Sequence, residues 1–224
     1  MNIDRNPFTL FCSETFAFPD VSEADEDGLL AIGGDLKPQR LISAYSRGIF
    51  PWFIEEGYVF WYSPDPRAVL YPSEFKASKS LAKSVKKQEF TFELNKNFRG
   101  VIEACAGSKN RKHESGTWIS EDFVDAYTKL HSMGFADSFE CYAGDELVGG
   151  FYGVRLGGVF FGESMFYKAP DASKASLWFL CANAEKLGIE IIDCQQSTPH
   201  LMSLGAKEIA RTEFVDILKE KIPL

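Results

Sequence analysis

Three polar side chains lie in two apolar segments near the C-terminal end of the chain. Glu163 lies in the segment FFGESMF (160–166), while Asp193 and Gln195 lie in IDCQQ (192–196). An unpaired charge among apolar residues is costly, so Glu163 needs a partner, for which an arginine is the simplest candidate. The two-residue period of a strand predicts that Asp193 and Gln195 point to one side of a strand end, where α/β folds place ligands.

Each group taken singly has a structural explanation, because buried polar groups are usually satisfied by their neighbours. Asp193 would bind nearby backbone at the strand end, and Glu163 would pair with its arginine. Taken together, the three side chains indicate a polar functional site.

Other chemistries find little support in the sequence. Cys194 has no histidine nearby in the sequence and no basic setting that would lower its pKa, which disfavours a thiol nucleophile. The five cysteines contain no C-x-x-C pair, and the three histidines form no H-x-x-x-H pair. We therefore expect no metal, no disulfide framework and a reducing compartment.

The charge distribution singles out one basic segment. The net charge is −8, yet the sequence contains five lysines (Lys76, Lys79, Lys83, Lys86 and Lys87), each three or four residues after an earlier one, with no acid between them. On a helix they form one basic face, either simply solvated or suited to a phosphate backbone. A smaller cluster, Lys109, Arg111 and Lys112, lies in a polar loop and could follow the same RNA.

Aromatic side chains are abundant, and most of them are explained as core. Trp52 and Trp118 differ because they lie in segments bounded by Gly or Pro rather than in periodic elements. Loops of this kind often contribute to binding pockets.

Hydrophobic periodicity predicts the elements that position these residues. Residues 19–35 are interpreted as an acidic, turn-rich segment, with Asp35 as N-cap of a helix that carries Leu41, Ile42 and Tyr45. Beyond Pro64 and Pro66 the predicted helices cover 78–87, 96–105, 120–133, 172–187 and 212–220, with a short helix near Leu201. The predicted strands cover 68–71, 90–94, 137–143, 146–155, 158–164 and 189–194.

The order of these elements predicts an α+β fold with mixed strand directions. We expect a small N-terminal domain over 1–65 and a larger domain over 66–224. No apolar stretch reaches the roughly 20 residues of a membrane span, and the first residues do not resemble an export signal. We expect a soluble cytoplasmic protein that does not contact the membrane.

Several sequence blocks together resemble one known family. They are FPD (18–20), GLLAIGGDL (28–36), AYSRGIFPWF (44–53), WYSPDPR (61–67), GTWI (116–119), FGESMF (161–166) and DCQ (193–195). In this order, over almost the whole chain, they resemble the bacterial leucyl/phenylalanyl-tRNA–protein transferases. The resemblance implies a small N-terminal domain joined to a C-terminal domain of the acetyltransferase (GNAT) type.

The resemblance also implies an activity. Members transfer leucine or phenylalanine, and we expect also methionine, from aminoacyl-tRNA to the α-amino group of proteins that begin with arginine or lysine. The product carries a degradation signal of the N-end rule. Because the aminoacyl ester is already activated, no ATP, metal or other cofactor is expected. We also expect the protein to be a monomer.

Roles for individual residues follow from the same resemblance. Asp193 and Gln195 hold and activate the attacking amine, with Asp193 polarising Gln195, and Glu163 helps to bind the acceptor peptide. Whether the proton goes to Asp193 or through substrate hydroxyl groups stays open. Tyr45, Trp52 and Trp118 surround the aminoacyl end. The side-chain pocket is formed by Phe151, Phe160, Leu177 and Ile192, and the acceptor stem of tRNA is bound by Lys79, Lys83, Lys86 and Lys87.

Three alternatives remain. An acyl-CoA-dependent acetyltransferase needs a glycine-rich loop before the long helix, but residues 167–173 (YKAPDAS) contain no glycine. An aminoacyl-tRNA-dependent ligase would share the donor and use another peptide acceptor. A non-catalytic RNA-binding module would use only the lysine face and the aromatic loops.

Overall fold

The computed structural model describes residues 11–12, 17–107 and 119–222. The N-terminal part forms a four-stranded sheet with the order β1-β2-β4-β3. Its strands are β1 (Phe11–Cys12), β2 (Leu29–Gly33), β3 (Phe50–Glu55) and β4 (Tyr58–Tyr62), and helix α1 (Pro38–Tyr45) connects β2 to β3. Strand β1 is parallel to β2, and the other pairs are antiparallel.

Three local predictions for this region are wrong. Trp52 is not in a loop, because it lies on β3, which pairs with β4. The segment 19–35 does not consist only of turns. It contains β2, whose Leu30 and Ala31 are buried in the core. Its apolar run outweighs the acidic flanks once β4 pairs with it. Asp35 does not cap α1: Lys37 holds the N-cap position without a side-chain bond, and Asp35 accepts hydrogen bonds from the Lys37 backbone and from Arg40.

The larger, C-terminal part is built on a seven-stranded sheet with the order β11-β5-β10-β9-β8-β7-β6. The strands are β5 (Arg67–Leu70), β6 (Thr91–Leu94), β7 (Ala136–Ala143), β8 (Glu146–Leu156), β9 (Val159–Tyr167), β10 (Ile191–Gln195) and β11 (Lys207–Ile209). Strands β9 and β10 are parallel, and all other neighbours are antiparallel. The α+β prediction with mixed strand directions is confirmed. The sequence pattern does not predict the short edge strand β11.

Helices cover both faces of this sheet. They are α2 (Lys79–Lys87), α3 (Phe98–Ala106), α4 (Glu121–Ser132), α5 (Ala172–Leu187), α6 (Pro199–Ser203) and α7 (Arg211–Lys221). The alternation of β9 separates two cores: Phe161 packs with the buried residues of α3 and α4, and Phe160 packs with Leu177 and Leu180 of α5. Apart from the short α6, the predicted helix ends agree with the structure to within two residues.

The two sheets share one core. Leu41, Tyr45 and Trp61 from the N-terminal part belong to the same buried cluster as Phe161 and Phe214 from the C-terminal part. The division at residue 65 stays a prediction.

Candidate active site

A cavity of about 370 Å³ lies where β3, β9, β10, α5 and α6 meet. Four of the predicted substrate-binding residues line it (Trp52, Phe151, Leu177 and Ile192), together with the three predicted polar ones (Glu163, Asp193 and Gln195). The cavity therefore joins an apolar wall to a group of carboxylates and an amide.

The parallel pairing of β9 and β10 explains why the polar residues meet. Phe161 is the register partner of Asp193, so Glu163 lies level with Gln195, two residues further along. The β10 ladder to β5 has a register shift between Asp193 and Gln195, and Gln195 has a φ of 63°. This bend turns the Gln195 side chain towards β9, where its Nε2 donates a hydrogen bond of 2.9 Å to Glu163 Oε1.

Asp193 is held beneath the cavity wall by Arg67. Arg67 Nε donates to Asp193 Oδ1 at 2.8 Å and Arg67 Nη2 donates to Oδ2 at 2.7 Å, with both side chains almost fully buried. The Gln195 backbone N–H also donates to Oδ1, at 2.8 Å. Asp193 thus contacts the backbone of Gln195, while the amide of Gln195 is bound to Glu163.

Arg67 is itself fixed from several sides. Its Nη1 donates to the Gly48 carbonyl at 3.0 Å, and its guanidinium carbon lies 4.9 Å from the Phe50 ring centroid and 4.8 Å from the Phe214 ring centroid. The expectation that an arginine pairs with Glu163 is wrong. The arginine on β5 reaches Asp193 instead, because β5 is the antiparallel neighbour of β10.

Neutral donors surround Glu163 instead of an arginine. Tyr127 Oη donates to Glu163 Oε2 at 3.0 Å, and the hydroxyl groups of Tyr45 and Tyr127 contact each other in the buried space behind it. Burial raises the pKa of Glu163 to about 7; hydrogen bonds from both tyrosines oppose this rise, and the charge of Asp193 adds to it. Burial raises the pKa of Tyr45 and Tyr127 well above 10, so both keep their protons.

The remaining predicted site residues occupy other places. Tyr45 and Phe160 are fully buried, Tyr45 behind Glu163 and Phe160 behind Phe151, at a ring-centroid distance of 5.8 Å. Trp118 lies outside the described residues.

Sequence reasoning missed two contacts of the polar group, Tyr127 and Arg67. Periodicity places Tyr127 on the apolar face of its helix, and nothing in that pattern reveals its hydrogen bond. Arg67 begins a strand whose four residues are all buried. A charge in an apolar strand is the signal that singles out Glu163, and it would have identified Arg67 as well.

The lysine-rich segment forms a separate surface on α2. Ser78 caps the helix by accepting from the Leu81 backbone N–H, and Leu81 is buried while all four predicted tRNA-binding lysines (Lys79, Lys83, Lys86 and Lys87) are exposed. Within the described ranges none of the four forms an ion pair. Lys76 lies before the helix, so its assignment to the helical face is wrong, and residues 109–112 lie outside the described ranges.

The described residues lack two features. No group of three or more His, Cys, Asp or Glu side chains is arranged to hold a metal ion. In the same part of the chain, no helix has the length and apolar character to cross a bilayer.

Comparisons with known proteins identify the family. A family model described as leucyl/phenylalanyl-tRNA protein transferase matches residues 69–219, and the model of that family's N-terminal domain matches 34–65. The leucyl/phenylalanyl-tRNA–protein transferase of Legionella pneumophila strain Corby is 50% identical over 207 residues, 92% of each chain. That of Nitrosospira multiformis is 53% identical over 196 residues, 88% of this chain and 84% of its own. The crystal structure of FemX matches with a TM-score of 0.46 and 9% identity, over 80% of this chain and 70% of that one. The chain belongs to the leucyl/phenylalanyl-tRNA protein transferase family.

Proposed function

We propose that this protein transfers leucine or phenylalanine, and also methionine, from aminoacyl-tRNA to the α-amino group of proteins that begin with arginine or lysine. One observation carries the proposal: an apolar cavity ends at the hydrogen-bonded pair of Glu163 and Gln195, above the buried Asp193. Such a cavity can hold an apolar aminoacyl side chain and a cationic acceptor next to each other.

The apolar wall accounts for the donor class. Phe151, Leu177 and Ile192 leave room for a large apolar side chain and offer it no charged group. A pocket of this kind discriminates by size at only about 1–3 kcal/mol per methylene, so leucine, phenylalanine and methionine are all acceptable. Trp52, on the same wall, is suited to the aminoacyl end of the tRNA.

The polar group accounts for the acceptor class. Glu163 gives the cavity an anionic group that attracts a cationic N-terminal residue, and Gln195 offers an amide to orient the α-amino group. Asp193 fixes the backbone of Gln195 through a hydrogen bond. Since the aminoacyl ester is already activated, positioning provides most of the rate enhancement, and no cofactor is needed.

The exposed lysines of α2 supply the binding surface for the tRNA backbone. We infer that the protein acts as a monomer in the cytoplasm, where charged tRNA and nascent proteins are both present. Its product, a protein with a new N-terminal leucine or phenylalanine, serves as a degradation signal.

A transfer assay tests the proposal. Purified protein is mixed with radiolabelled Leu-tRNA or Phe-tRNA and with peptides that begin with Arg, Lys, Asp or Ala, and labelled acetyl-CoA is a parallel donor. Label should pass from tRNA to the Arg and Lys peptides alone. Transfer to the Asp or Ala peptides would refute the proposed acceptor, and tRNA binding without any transfer would leave an RNA-binding module.

A further inference from the structure

We propose that Glu163 accepts the proton that the acceptor's α-ammonium group loses, and that Asp193 is a positioning residue which does not titrate during the reaction. This inference rests on the proposed function and adds the proton path to it. An N-terminal amine has a pKa of about 7.7–8.0, so much of it is protonated near neutral pH and cannot attack an ester until a base takes one proton.

Asp193 is unsuited to that role because its oxygens are already occupied. Oδ1 accepts from Arg67 Nε and from the Gln195 backbone, and Oδ2 accepts from Arg67 Nη2. A proton on Asp193 would neutralise a bidentate ion pair and leave the guanidinium of Arg67 without a countercharge in the protein interior.

Gln195 is unsuited for a different reason. A side-chain amide does not titrate near neutral pH, and Nε2 of Gln195 already donates a hydrogen bond to Glu163. Its Oε1 can accept a hydrogen bond from the ammonium group and hold it beside Glu163. Gln195 therefore orients the amine and does not take its proton.

Glu163 combines the geometry that the step needs. Its carboxylate lies on the cavity wall, and the groups that bond to it are all neutral: Tyr127 at Oε2, Gln195 at Oε1, and Tyr45 behind them. A carboxylate has about four lone-pair sites, so these three hydrogen bonds leave capacity for a proton. Because all three donors are neutral, protonation leaves no unpaired charge behind.

The titratable groups around Glu163 come from several elements. Tyr45 of α1 and Tyr127 of α4 lie behind it, Asp193 of β10 lies beneath it with Arg67 of β5, and His200 of α6 lines the same cavity. Burial raises the pKa of Glu163 to about 7, close to that of the amine. A base and an acid with similar pKa values exchange a proton at little cost.

The proton transfer precedes the attack on the ester. One N–H bond of the α-ammonium breaks and an O–H bond forms on Glu163. The neutral amine attacks the ester carbonyl carbon, and a C–N bond forms. The C–O bond to the terminal ribose of the tRNA then breaks, and the ribose oxygen takes the second proton from the nitrogen. Glu163 finally releases its proton to solvent.

Two acceptor peptides distinguish a Glu163 that takes the proton from a Glu163 that only binds the peptide. Both peptides carry the same N-terminal arginine side chain, but one begins with an ordinary α-amine and the other with an α-hydrazine. The second nitrogen and the α-carbonyl lower the pKa of the hydrazine, so most of it is neutral at pH 7. Single-turnover rates are measured at saturating acceptor for wild type and for Glu163→Gln, with the exposed Glu185→Gln on α5 as matched control. We expect the single-turnover rate of Glu163→Gln to fall roughly 10²–10⁴-fold with the amine peptide and to remain within about ten-fold of the wild-type rate with the hydrazine peptide.

Equal losses with both acceptors would show that Glu163 only binds the acceptor, and an unchanged amine rate would show that it has no role; either result overturns the inference. Glu163→Asp keeps a carboxylate, so its ratio of amine to hydrazine rates should remain closer to that of wild type than the Glu163→Gln ratio. Unfolding curves of all variants identify any that do not fold. If wild type transferred to neither acceptor, the proposed function itself would fail.

Discussion

Arg67 binds both carboxylate oxygens of Asp193, at 2.8 and 2.7 Å, although the two residues are 126 positions apart in the chain. The same guanidinium bonds the Gly48 carbonyl and lies between the rings of Phe50 and Phe214. One side chain thus connects the N-terminal sheet and the last helix to the strand that carries Asp193. The position of Asp193 depends on the packing of the whole molecule.

Removal of Arg67 should destabilise the protein strongly. Arg67→Ala leaves the Asp193 carboxylate buried without a countercharge, and breaking such a pair costs about 3–5 kcal/mol of unfolding free energy. Urea unfolding measures this cost. Arg99→Ala is the control, because Arg99 forms three ion pairs on the surface and its removal should change stability little. Equal effects of the two substitutions would contradict the assigned importance of the buried pair.

Asp193 and Gln195 should both be needed for transfer. Asp193→Asn removes the charge that pairs with Arg67, and Gln195→Ala removes the amide that donates to Glu163. Because both residues position the reacting groups, we expect the single-turnover rate to fall by roughly 10²-fold or more in each variant. The exposed Gln39→Ala serves as control. Wild-type rates in both site variants would refute the assignment of the site.

The lysines of α2 should govern tRNA affinity and its dependence on salt. Replacement of Lys79, Lys83, Lys86 and Lys87 by Gln should weaken tRNA binding and reduce the slope of log K against log[salt] by about 1 for each lysine that binds a phosphate in the wild type. Filter binding over a range of KCl concentrations gives the slope. A control with four exposed lysines elsewhere replaced (Lys37, Lys129, Lys186 and Lys219) loses the same charge and should keep the wild-type slope.

Phe151 should influence the choice of donor. Its ring lines the cavity and packs against Phe139 and Phe160, so Phe151→Leu adds space at the apolar wall. Phenylalanine has the wider side chain, so the rate of transfer from Phe-tRNA relative to that from Leu-tRNA should rise by up to about ten-fold, or 1.4 kcal/mol. Competition between Phe-tRNA and Leu-tRNA measures the ratio. Phe92→Leu, which alters a ring stacked on Phe179 and not on the cavity wall, should leave the ratio unchanged.

Glu163 should make stability depend on pH. Its pKa is about 7 in the folded protein against an ordinary 4.5, so between these values the folded state binds more protons than the unfolded state. The contribution of Glu163 to the unfolding free energy therefore falls as pH rises through this window and levels off above it. The glutamine in Glu163→Gln does not titrate. The unfolding free energy of this variant minus that of wild type should therefore rise from pH 4.5 to pH 7, by at most about 3 kcal/mol. Urea unfolding at several pH values measures the trend. Glu185→Gln is the control, and a flat difference for Glu163→Gln would contradict the prediction.

Local patterns in the sequence are sufficient for most elements of the larger sheet. The helix over 172–187 is predicted with its observed ends because it is rich in alanine and leucine, which favour helices, and because Gly188 follows its last residue. The segment before Asp35 is mispredicted for the opposite reason. Its acidic residues and glycines resemble a turn, and only pairing with β4 makes Leu30 and Ala31 part of a strand.

Sequence alone also identified Glu163, Asp193 and Gln195 as a polar group and, through the resemblance of whole blocks, the family. It could not decide which charges pair. The order of strands decides it. Because β5 lies beside β10, Arg67 reaches Asp193, and because β9 lies parallel to β10, Gln195 reaches Glu163. Hydrophobic periodicity is a property of neighbouring residues, whereas an ion pair needs two distant side chains within about 3 Å, and only the tertiary structure brings them there.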